Sequence, residues 1–159
     1  MITKRKDLKN SFINRKHLFA GWTSLSHPQI SEMLIFSGVD FIGIDIEHST
    51  ISQEQSQRII AVCHADGIPC LPRVASHNQE DIKRLLDSGA DGIIVPTVET
   101  PEQIENLVKW MKYPPIGNRG YGVARAQGYG HDFEHYTNEW NKTSILIIQI
   151  ETVCAVDNI

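Results

Sequence analysis

The sequence predicts a parallel α/β fold, and three observations carry that prediction. Five short apolar runs punctuate the 159 residues, at positions 18–25, 39–46, 68–74, 92–98 and 144–150. Each run is continuously apolar rather than alternating, as strands covered on both faces of a parallel sheet must be. Helix start and stop signals lie between the runs, and one join is written twice. Ser37-Gly38-Val39-Asp40-Phe41-Ile42 is echoed by Ser88-Gly89-Ala90-Asp91-Gly92-Ile93, a helix-ending glycine followed by a turn and a buried strand.

The elements follow in order. After the first run, His27-Pro28 opens a helix carrying Ile30, Met33 and Leu34 and closing near Gly38. The second run ends in Ile44-Asp45-Ile46-Glu47-His48, and the third in Pro72-Arg73-Val74. Asn78 and Asp81 begin a helix with Ile82, Leu85 and Leu86, which Gly89 ends. After the fourth run, Thr100-Pro101-Glu102-Gln103 supplies an N-cap, a proline at the first helical position and a capping-box glutamine. The spacing predicts five strands and about four helices in a right-handed array, one domain over residues 1–159. Residues 112–143 break the pattern with Pro114-Pro115, several glycines and clustered aromatics. A loop of that length in a compact domain is usually functional, and it is expected to hang over the end of the sheet that carries Glu47, His48 and Glu151.

Composition excludes several classes. The net charge is −4 with no basic stripe, which argues against nucleic acid as a partner. The apolar runs are strand-length, short of the roughly 18 residues a membrane span requires. The basic residues Lys4, Arg5, Lys6 and Lys9 precede no apolar segment, so no signal peptide is expected. Cys63, Cys70 and Cys154 show no paired spacing and read as reduced thiols of a cytoplasmic protein.

Chemistry concentrates where the apolar runs end. Asp45 and Glu47 share a side of their strand and His48 follows in the loop. A carboxylate beside an imidazole fixes its tautomer and makes it a usable general base; alternatively, Asp45 caps the next helix and His48 is a polar loop residue. Arg73 suits an anionic substrate or an enolate oxygen, or an internal ion pair with Asp45 or Glu47. Gln149 and Glu151 share one face of the fifth run, where a glutamate oxygen suits Mg²⁺ or Mn²⁺. The glycine-rich 117–122 segment, with Arg119 and then Arg125, offers backbone and guanidinium donors to an anion but lacks the Lys-Ser/Thr of a phosphate-binding loop. His131-Asp132-Phe133-Glu134-His135 matches the H-x-x-E-H zinc-protease pattern, but preceding glycines and a following Tyr136-Thr137-Asn138 argue against the ordered helix that chemistry needs.

Taken together, these residues resemble the HpcH/HpaI aldolase family, metal-dependent (class II) pyruvate aldolases that cleave 4-hydroxy-2-oxo acids. The resemblance runs through Gly21-Trp22, Gly38-x-Asp40-Phe41, Ile44 to His48, Pro72-Arg73-Val74 and Leu86-Asp87-x-Gly89-Ala90. It continues in Val95-Pro96-x-Val98, Tyr113-Pro114-Pro115-x-Gly117-x-Arg119-Gly120, Ala124-Arg125-Ala126 and Gln149-Ile150-Glu151. It implies a (β/α)₈ TIM barrel, commonly hexameric, with pyruvate chelated to a divalent cation (Mg²⁺, Mn²⁺ or Co²⁺). Carried over by motif, His48 is the base acting through water, Asp45 orients it, and Arg73 steadies the enolate. Glu151 is a metal ligand with Gln149 beside it on the substrate, Glu47 stands behind the metal-bound water, Arg125 meets the acceptor aldehyde, and Arg119 braces the loop. The family's second metal carboxylate, in a Gly-Pro-Ala-Asp motif, has no match after Glu151. The expectation is therefore a barrel truncated to about its first five βα units, lacking strands six to eight. A catalytically silent fragment or interaction module is the competing expectation. A lyase acting on an acyl-CoA thioester fits the Glu47-His48 and Tyr113-Pro114-Pro115 motifs less well.

Overall fold

The computed structural model describes Met1 to Asn158. The elements run α1 (Ile2–Ile13), β1 (Ala20–Thr23), α2 (Pro28–Phe36), β2 (Phe41–Asp45), α3 (Gln53–Ala65), β3 (Cys70–Arg73), α4 (Gln79–Asp87), β4 (Gly92–Val95) and α5 (Pro101–Met111). A 3₁₀ segment (Arg125–Gly130), α6 (Phe133–Thr143), β5 (Ile145–Ile148) and α7 (Val153–Asp157) follow. The five strands are all parallel, in the order β1-β2-β3-β4-β5, so each strand lies beside its sequence neighbour. This is the βα succession of a barrel wall rather than of a doubly wound sheet, whose strand order reverses.

The apolar runs are longer than the strands they contain. Ile46, Ile68, Val74 and Val98 lie outside the assigned strands yet pack into the helix-side core. Apolar character records burial, whereas a ladder records backbone pairing, and the flanking residues satisfy the first without belonging to the second. The capping signals translate directly. Thr100 and Ser52 each form a reciprocal capping box, and Asn78 accepts the Asp81 N–H at 3.0 Å.

Strand alternation sorts the core into two layers. Ile42, Ile44, Cys70, Ile93 and Val95 face α3, α4 and α5 and pack with Ile59, Ile82, Leu86 and Leu107. Phe41, Leu71, Ile94 and Ile145 face the other way and are covered near the strand N-termini by Leu8 and Phe12 of α1. Sequence periodicity does not announce α1, because its mixed polar face holds only two buried residues, Arg5 and Leu8. Its placement is decided by tertiary contacts. Arg5 is buried against Asp91 (3.4 Å) and Thr143 (3.0 Å), with its guanidinium 4.7 Å from the Trp140 ring centre.

The long 112–143 segment corrects the sequence reading. It ends in α6 and lies against α1 and the strand N-termini, not over the strand C-termini. The reason is topological: α5 runs back antiparallel to β4, so the chain after Met111 emerges at the opposite end of the sheet. Phe133, Tyr136 and Trp140 are spaced to share one helical face. Trp140 is fully buried and donates its Nε1–H to the Met111 carbonyl at 2.6 Å. Arg119, also buried, ties this segment to α4 through Asp87 at 2.7 Å and lies 4.7 Å from the Tyr113 ring centre.

Candidate active site at the strand C-termini

On the face shared with α1, the opposite end of the sheet carries Trp22, Gly43, Asp45 and Arg73. Gly43 is required there. A Cβ on it would stand 2.4 Å from Trp22 Cε3, so only glycine lets the indole lie across β2. The indole in turn forms a floor under Arg73, whose guanidinium carbon is 5.1 Å from the ring centre.

Arg73 is held from several directions. Its Nε donates to Asp45 Oδ1 at 3.2 Å and its Nη2 to Asp45 Oδ2 at 2.8 Å, a bidentate fork. Its Nη1 lies 3.1 Å from Glu47 Oε2 and donates to Gln149 Oε1 at 3.4 Å. Both the ion-pair reading of Arg73 and its placement at the strand mouth are thus realised. Asp45 Oδ1 also accepts the backbone N–H groups of Glu47 and His48, each at 3.1 Å. Burial raises the Asp45 carboxyl, but the Arg73 hydrogen bonds, the His48 N–H, the Arg73 charge and the Glu47 N–H outweigh it and hold the group below its ordinary value.

One expected contact differs. Asp45 binds the backbone that carries His48 rather than the imidazole; the carboxylate facing His48 Nε2 is Glu47, at 3.6 Å. The strand geometry explains this: Asp45 points inward to Arg73, while the turn it caps swings His48 out, leaving its side chain 70% exposed. Glu47 therefore bridges Arg73 and His48.

Glu151 joins the same end through the β4 and β5 connections. Its Oε1 accepts the Thr97 N–H at 2.7 Å and the Thr97 hydroxyl at 2.9 Å, and its Oε2 accepts the Gln149 amide at 3.4 Å. Gln149 thus links Arg73 to Glu151, and the polar chain runs from Asp45 across to Thr97. Sequence reasoning missed Thr97. Its position two residues beyond β4, next to Pro96, was the available signal.

Arg125 does not join this set. Its Nη1 bonds His64 Nδ1 at 3.1 Å and the Ser88 carbonyl at 3.3 Å, while His64 Nε2 bonds Asp91 at 2.9 Å. These residues precede β3 and β4, so Arg125 lies at the N-terminal end of the strands. The same reversal of chain direction through α5 that moved the 112–143 segment carried it there.

Among the described residues no group of three His, Cys, Asp or Glu side chains is arranged to hold a metal ion. Asp45 and Glu47 are committed to Arg73, and Glu151 contributes a single carboxylate. This donor set does not by itself fit a divalent cation. His131, Glu134 and His135 likewise form no such group. Among the described residues no helix is long and apolar enough to cross a membrane.

Parallel βα units in sequential strand order, with a clamped arginine and carboxylates at the strand C-termini, match the wall of a β/α barrel, a scaffold whose active sites lie at that end of the strands. More particularly, the chain belongs to the HpcH/HpaI aldolase/citrate lyase family, whose profile matches residues 18–159. It is 39% identical over 144 residues to a 4-hydroxy-2-oxovalerate aldolase of Novosphingobium aromaticivorans, covering 87% of this chain and 53% of that protein. It is 35% identical over 154 residues to a hydroxypyruvate/pyruvate aldolase of Roseobacter denitrificans, covering 95% of this chain and 59% of that one. The crystal structure of an HpcH/HpaI aldolase/citrate lyase family protein from Burkholderia cenocepacia superposes with a TM-score of 0.90 at 27% identity, over 96% of this chain and 62% of the other. The chain thus spans just over half the length of the relatives it matches.

Proposed function

We propose that this chain carries the strand-end half of a carbon–carbon lyase site that cleaves a 4-hydroxy-2-oxo acid into pyruvate and an aldehyde through a pyruvate enolate. The observation that supports it most directly is the Arg73 clamp: a cation with fixed orientation beside an exposed imidazole. Retro-aldol cleavage removes the C4 hydroxyl proton, breaks the C3–C4 bond, and leaves an electron pair on the three-carbon product. His48, acting through water, takes the hydroxyl proton and later returns one to the enolate carbon. The Arg73 guanidinium faces the oxygen on which negative charge grows, and its carboxylate partners keep it from turning away.

Asp45 and Glu47 together outweigh the single charge of Arg73. An anionic substrate would therefore compete with Glu47 for Nη1, and releasing Glu47 would leave it beside the His48 imidazole. A divalent cation, Mg²⁺ or Mn²⁺, belongs to this reading, with Glu151 offering one oxygen. The described residues do not complete its site. A multi-copy assembly belongs to the same proposal, supported by the exposed Phe19, Leu25, Met33 and Phe36 along β1 and α2.

The test is exchange of pyruvate methyl protons in D₂O, followed by NMR with the purified chain, with and without Mn²⁺. Exchange abolished by His48→Ala in a sample still folded by circular dichroism is the expected result. A folded chain that exchanges no protons under either condition would overturn the proposal and favour the silent-fragment reading.

A further inference from the structure

Thr97 has φ of +52°, a left-handed backbone angle that β-branched residues rarely adopt. Packing of its own side chain does not impose it, because Thr97 is exposed. Hydrogen bonds on every side do. The Pro96 carbonyl before it meets His77 Nε2 at 2.7 Å, and the Val98 N–H after it donates to the Gln149 carbonyl at 3.3 Å. Thr97 itself turns both its N–H and its hydroxyl onto one oxygen, Glu151 Oε1. A conformation this unfavourable persists only where its surroundings over-determine it, and such residues gather at functional sites.

We propose that Thr97 is a positioning residue: it saturates Glu151 Oε1 so that the carboxylate presents Oε2 alone to the site. The inference rests on the lyase reading for its consequence, though not for its geometry. An oxygen accepting two hydrogen bonds at 2.7 and 2.9 Å has both lone pairs engaged. Oε2, met among the described residues only by the Gln149 amide at 3.4 Å, keeps capacity for a further partner. The left-handed backbone is what lets one residue aim both donors at the same atom.

Three substitutions separate this role from a structural one. Thr97→Val keeps the shape and the N–H but loses the hydroxyl; it should slow pyruvate methyl exchange roughly tenfold, the scale for one hydrogen bond to a charged group. Thr97→Ser restores the hydroxyl and should recover most of that loss. Thr97→Gly relieves the backbone and should raise the urea midpoint while exchange falls as in Thr97→Val, a divergence that a purely structural residue does not produce. A Thr97→Val chain exchanging at the parent rate would overturn the proposal. If the parent chain shows no exchange, the lyase reading fails and the positioning is decided by NMR. The Thr97 amide proton should resonate far downfield and move upfield in Glu151→Ala; an amide that does not move overturns the proposal.

Discussion

Replacing Asp45 by Asn removes one charge from the clamp while keeping its shape. The retained amide oxygen can still accept the N–H groups of Glu47 and His48, so the turn is preserved. The bidentate fork is not, because the new NH₂ group faces Arg73 Nη2 donor to donor, where 2.8 Å now separates opposite charges. Removing one member of a buried ion pair typically costs 3–5 kcal/mol. Arg73 keeps Glu47 and Gln149 on Nη1, which places the expected loss near the lower end, about 3 kcal/mol. With a urea m-value of about 2 kcal/mol/M for a domain of this size, the unfolding midpoint should fall by about 1.5 M. The variant also carries a pH signature. The Asp45 carboxyl is held below its ordinary 3.8 in the folded chain, so its stabilisation is complete above 3.8 and is lost as pH falls through the lower folded value. Urea melts at neutral pH and at successively lower pH values should therefore show Asp45→Asn and the parent converging as acid is added. A midpoint loss below about 0.5 M at neutral pH, or a gap that does not narrow in acid, would refute the clamp as a stabilising element.

Gly43→Ala should push the Trp22 indole off β2 and away from Arg73, costing about 1–3 kcal/mol in urea melts, and should be nearly neutral in a Trp22→Ala background. Trp140→Phe should lower stability by about 1–2 kcal/mol, because the Met111 carbonyl loses its indole donor inside the core; an unchanged midpoint would count against that bond. Burial, then the charges of Lys9 and Arg5, depress Lys112 to about 8. The folded chain thus releases this proton before the unfolded one, so stability should rise with pH between about 8 and the ordinary 10.5. Lys112→Met should flatten that rise, and melts across the window check it.

Much of the fold was legible because its signals are local. Continuous apolar runs, the N-caps Asn78 and Thr100 and the glycines at helix ends all act within a few residues, and each appears where the pattern puts it. The acids and the arginine at strand ends were legible for the same reason: a residue's place on a strand follows from two-residue alternation. Arg125 and the 112–143 segment were misplaced because their location depends on which way the chain leaves α5, a property of the whole path. The partner of His48 was misread at finer scale, since two acids two residues apart compete for one arginine and only three-dimensional distance decides which retains a side toward the imidazole.

By itself, then, the amino-acid order determined that this chain forms parallel βα units and sets Asp45, Glu47, Arg73, Gln149 and Glu151 at strand ends. Only the tertiary structure decided that α1 covers one face through Arg5 and Leu8, that Arg125 belongs to the far end with His64, and that Thr97 holds Glu151. The division has one physical cause. Hydrophobic periodicity and capping are written over short stretches of chain, whereas ion pairs and hydrogen bonds between residues as distant as Arg5 and Asp91 or Thr97 and Glu151 exist only once packing has brought their elements together.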